Sequence, residues 1–169
     1  MESVRDDFAA EMSPCWNRHV TGGGSLQRSD GTLLFVNTNT QSDEYTNAQI
    51  DDYQGLRRSR FPWRPPTTLT VRARFSDPDG RLRGTAGFGF WNDPFMMTGR
   101  RVPTLPRAIW FFYASPPSDM KLDEEAPGCG WKAATIDASG PAALGLALVA
   151  LPAALAMNAP SLYRLLWPP

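Results

Sequence analysis

The sequence has few of the residues on which most enzyme sites are built. It carries one histidine, His19, and two cysteines, Cys15 and Cys129, among 169 residues. A single histidine excludes two-histidine metal sites, and any Ser-His-Asp or Cys-His system would rest wholly on it. His19 follows Cys15, Trp16 and Asn17 in a stretch read as an incoming loop, where a structural role is expected. The cysteines stand far apart and in no C-x-x-C or Cys/His cluster, so two unpaired thiols and no metal are expected. Net charge is missing too, since 17 Lys+Arg oppose 17 Asp+Glu. That argues against the basic face a nucleic-acid partner requires, and none is expected. No phosphate loop, dinucleotide fingerprint or zinc spacing occurs, so no cofactor is implied. The opening MESVRDDFAAEM has no apolar run, reads as no signal peptide, and implies a cytoplasmic protein.

Proline, by contrast, is abundant. The 16 prolines are about 9.5% of the chain, roughly twice the usual share. Each interior proline costs about 3 kcal/mol of helix, which excludes a mostly helical bundle. The 42% hydrophobic content is enough for a core.

The first two-thirds reads as short strands divided by turns. Gly22-Gly23-Gly24 is a flexible turn, and Asp30-Gly31 is a hairpin signal leading into residues 32–36 (TLLFV). A second strand is expected over 47–53. Three prolines in FPWRPP (61–66) then forbid regular pairing. Residues 69–76 (LTVRARFS) alternate without a miss, Leu69, Val71, Ala73 and Phe75 against Thr70, Arg72, Arg74 and Ser76, and Asp77-Pro78-Asp79-Gly80 closes them. Further strands are expected at 84–92 (GTAGFGFWN), 107–115 (RAIWFFYAS) and 131–137 (WKAATID). Seven or eight short strands without intervening helices predict an all-β antiparallel sandwich over residues 1–137.

Composition changes after Asp137. Residues 138–163 contain no charged side chain, and 141–157 read PAALGLALVALPAALAM. This bias suits an apolar C-terminal helix, and residues 138–169 are treated as a separate segment. At about 1.5 Å per residue it reaches about 26 Å, just short of a bilayer core, and Pro152 would kink it. Three readings stay open: a helix docked on the sandwich, membrane association through 138–163, or the end of a truncated reading frame.

Asp6-Asp7-Phe8, Trp16, the hairpin DGTLLF (30–35), YTNAQI (45–50), LTVRARFS and GTAGFGFWND come in a familiar order. The chain resembles the concanavalin A-like lectin/glucanase superfamily, and most closely the family 16 glycoside hydrolases, over about residues 5–137. The resemblance implies a jelly-roll sandwich and a carbohydrate ligand. The family's catalytic motif, E-x-D-x-E or E-x-D-x-x-E on one strand, is absent. The strand expected to carry it reads Ala108-Ile109-Trp110-Phe111-Phe112-Tyr113. The family's later sheet-closing strands are also absent after Asp137, which implies an incomplete sandwich. No catalytic residue is therefore assigned.

The candidate ligand-binding residues are Trp91, Asn92, Asp93, Trp110 and Phe112. Alternation sets Trp91 with Gly87 and Gly89, away from Ala86, Phe88 and Phe90, which are expected to form the core. Trp110 and Phe112 likewise lie opposite Ile109, Phe111 and Tyr113. The competing expectation buries both faces, one of them beneath the apolar helix. Three functions follow: a carbohydrate-binding module, an enzyme with a non-standard site, or a membrane-associated structural or apolar-ligand-binding protein.

Overall fold

The computed structural model describes residues 3–166 apart from 54–55, 58–59, 79, 95–103, 122–123, 139, 142–144, 146–147, 149–151, 153–154 and 157–158. Its described part is all-β, with antiparallel sheets and seven strands. The chain divides into two compact units. One comprises Met1–Pro62, Asp93–Pro103 and Leu148–Pro169, and the other Trp63–Asn92 and Thr104–Ala147.

The first unit holds two strand pairs. β1 (Asn17–Thr21) pairs with β4 (Asn47–Asp51), and β2 (Gly24–Ser29) pairs with β3 (Thr32–Asn37). The two-residue turn between β2 and β3 is Asp30-Gly31, with φ of 48° and 69°. Positive φ at both central positions is what a type I′ turn requires, and its twist matches that of the flanking strands. His19 lies in β1 rather than in a loop, and its Nε2 is 3.1 Å from Thr21 Oγ1. Ahead of β1, the Asp6 carboxylate accepts hydrogen bonds from Phe8 N (2.8 Å), Ser13 N (2.9 Å) and Trp16 Nε1 (3.0 Å). The backbone bonds from Ser13 and then Phe8 hold its pKa below the ordinary carboxylate value. Asp51 is buried and accepts from Asn17 Nδ2 and Tyr53 N, and the Tyr53 ring tilts against Phe61 at 5.6 Å.

The second unit is built on a three-stranded antiparallel meander, β5 (Thr85–Trp91), β6 (Arg107–Ala114) and β7 (Gly130–Asp137). β6 is central and supplies the buried residues Ala108, Phe112, Tyr113 and Ala114. Two brackets close the sheet ends. Ser115 N donates to Gly84 O (2.9 Å), and Ala138 N donates to Pro106 O (3.0 Å).

Residues 69–76 do not form the expected strand. They are irregular and mostly exposed, Leu69 and Val71 included. Alternation expresses fitness for a half-buried surface, whereas a strand also needs a neighbouring backbone, and no described strand pairs with this stretch. Phe75 alone of its apolar row makes a ring contact, edge-on to Trp131 at 5.0 Å. In the turn that follows, Asp79 lies outside the described residues.

Half of the apolar segment 138–163 falls outside the described residues. Gly145, Leu148, Pro152, Leu155 and Ala156 are helical, and α1 (Pro160–Leu166) follows. Arg164 pairs with Asp43 (Nε–Oδ2 3.2 Å). No helix among the described residues is long and apolar enough to cross a membrane.

Candidate functional site

Successive residues of a strand point to opposite faces, so the register of the meander assigns every side chain to one of two surfaces. Gly87 faces Phe112, Gly89 faces Trp110 and Trp91 faces Ala108, while Phe112 faces Lys132 and Trp110 faces Ala134. One surface therefore carries Trp91, Trp110, Phe112 and Lys132. The other carries Phe88, Phe90, Ile109, Phe111, Tyr113 and Trp131, and ends in the pair Arg107↔Asp137.

The first surface brings together three of the five expected site residues. Trp91 and Trp110 stand 5.1 Å apart at 33°, and Trp110 and Phe112 stand 4.7 Å apart at 53°, forming one continuous aromatic row. Glycines make the row fit. A Cβ at Gly89 would lie 2.6 Å from Trp110 Cα, and one at Gly87 would lie 2.7 Å from Phe112 Cα, both too close to be accommodated without movement. Trp91 and Trp110 are half-buried, and Phe112 is only 4% exposed.

The remaining two expected residues have other surroundings. Asn92 clips the end of the sheet, its Nδ2 donating to Leu105 O (3.0 Å) and Thr104 Oγ1 (3.3 Å) while Oδ1 accepts from Arg107 N (2.8 Å). Asp93 is fully buried, with φ of 45°.

The second surface, expected to be core, is the more open of the two. Ile109 is 58% exposed, Phe111 42% and Trp131 40%. Its rings make a connected platform. Phe111 and Trp131 stack at 5.0 Å and 13°, Phe88 tilts against Phe111 at 5.6 Å, and Tyr113 tilts against Trp131 at 5.4 Å. Beside the platform is a polar end, where Thr135 lies opposite Ile109 and Arg107 Nε bonds Asp137 Oδ1 at 3.1 Å, both side chains well exposed. Alternation had grouped Phe88 with Ala86 and Phe90, and Phe111 with Ile109 and Tyr113. Which face meets solvent is a tertiary property that period two cannot supply.

Comparison with protein-family models, curated proteins and solved structures finds no significant match. The chemistry must be read from the arrangement alone. Both thiols are free, and no group of three or more His, Cys, Asp or Glu among the described residues is placed to hold a metal ion. On the open surface Asp137 is the one carboxylate among the described residues, and it is tied to Arg107. Glycoside hydrolysis needs two carboxyl groups flanking the scissile bond. What the surface offers is exposed apolar area with hydrogen-bonding groups at one end.

Proposed function

We propose that the protein is a concanavalin A-like jelly-roll sandwich, similar to family 16 glycoside hydrolases, that binds carbohydrate without their catalytic carboxylate pair. One observation carries the ligand class: Phe111 and Trp131 stack nearly parallel while both remain about two-fifths exposed. Aromatic rings held together and left in water mark an interaction site more often than a stable bare surface. A sugar ring has an apolar C–H face that covers such rings and an equatorial rim of hydroxyls. Here that rim would meet Thr135 and the Arg107–Asp137 pair, the mixture of apolar wall and few polar groups typical of small-ligand sites.

Titration calorimetry with a soluble β-glucan tests the reading. Wild-type protein is expected to bind without releasing reducing sugar, and Trp131→Ala to weaken binding at least tenfold with the fold retained by circular dichroism. Equal binding by wild type and Trp131→Ala would sink the assignment to this surface.

A further inference from the structure

The opposite surface of the meander holds two donors with no acceptor among the described residues. Lys132 Nζ and Trp110 Nε1 are both buried, and neither finds a hydrogen-bond partner among the described residues. They belong to one neighbourhood, because Lys132 is directly opposite Phe112, and Trp110 is two residues from Phe112 on the same strand and face. Diagonal neighbours of this kind have backbones about 7–8 Å apart, within reach of one small group held between two long side chains. Buried polar atoms are nearly always paired, so two orphaned donors on one face specify the acceptor they lack.

We propose that this surface binds a small apolar carboxylic acid. Its carboxylate accepts from Lys132 Nζ and Trp110 Nε1, and its apolar body lies along the Trp91–Trp110–Phe112 row. The charge of the ligand follows from the donors, since a lysine ammonium and an indole N–H have only hydrogens to give and a carboxylate has only lone pairs to receive them. The apolar body follows from the rings, which form an uninterrupted wall at 4.7 and 5.1 Å spacing. Access follows from Trp91 and Trp110, which are half-buried where Phe112 is sealed. The site is independent of the carbohydrate reading, because Trp131 is on the other side of the sheet.

The test is a titration of 2-naphthoate against 15N-labelled full-length protein, with 2-naphthamide as the neutral counterpart. Naphthoate is expected to shift the Trp110 Nε1–H resonance and to bind at least tenfold more tightly than naphthamide. Lys132→Met should remove that tenfold preference, Trp110→Phe should weaken naphthoate while keeping the ring, and Trp131→Ala should leave its affinity unchanged. If Lys132→Met fails to fold, Lys132→Arg takes its place and should retain the preference for the acid. The proposal is overturned if naphthoate does not bind, if acid and amide bind alike, or if Trp131→Ala abolishes naphthoate binding while Lys132→Met does not.

Discussion

Both surfaces of the β5–β6–β7 meander are aromatic, yet Phe111 and Trp131 on one stand about two-fifths exposed while Phe112 on the other is sealed. The difference lies in what stands opposite each ring. On the withdrawn surface the large side chains of β6 face glycines of β5, Trp110 over Gly89 and Phe112 over Gly87. With no Cβ across the strand, the rings can settle close to the sheet. On the open surface rings face rings, Phe88 opposite Phe111 and Tyr113 opposite Trp131, and there Phe111 and Trp131 stay exposed while Tyr113 is buried. Aromatic content alone does not identify a core.

The sharpest way to break this contrast is to truncate one ring from each surface. Phe112→Ala should cost about 4 kcal/mol, the range for removing a buried phenylalanine, because a cavity remains. Phe111→Ala, its exposed neighbour, should cost about 1 kcal/mol. Urea denaturation of both variants measures the gap, and equal losses would erase the distinction drawn here. Smaller in effect is Gly89→Ala. Its new Cβ would press on Trp110 and the Ile109 carbonyl, with an expected loss of about 2 kcal/mol and a disturbed tryptophan spectrum near 290 nm.

The mildest effect is expected away from both surfaces, at Asp6. Its folded pKa is depressed, so its contribution is fully present above the ordinary carboxylate value of about 4. That contribution is lost as pH falls through the lower, folded value. Thermal melts between pH 2 and 6 should show an acid-side decline that Asp6→Asn lessens, whereas substitutions at Phe111 or Phe112 should leave that decline in place. Identical pH profiles for wild type and Asp6→Asn would refute the role of the Asp6 carboxylate.

The meander was readable because its signals are local. Alternation over β5, β6 and β7 and the Asp30-Gly31 turn each specify backbone geometry within a few residues. β1 (NRHVT) and β2 (GSLQRS) were unreadable for the opposite reason. They are largely polar, and only pairing with β4 and β3 makes them strands. The stretch 69–76 shows the converse failure, an unbroken alternation with no described partner strand. For the candidate sites, parity correctly grouped Trp91, Trp110 and Phe112, since face membership follows from counting by twos. Lys132 could have been added the same way once β7 was set in register with β6, but WKAATID in isolation gives no register. Exposure was out of reach, because it depends on residues far away in the chain.

The discontinuous make-up of the first unit carries a consequence for the order in which the protein is made. Its β1–β4 pairs come from the opening stretch, yet it also takes in residues from Leu148 onward, among them the fully packed Ala156 and the Arg164 that grips Asp43. All of Trp63–Asn92 and Thr104–Ala147 leaves the ribosome before those residues do. The unit begun first is thus completed last, after every residue of the meander and its two aromatic surfaces has been synthesised.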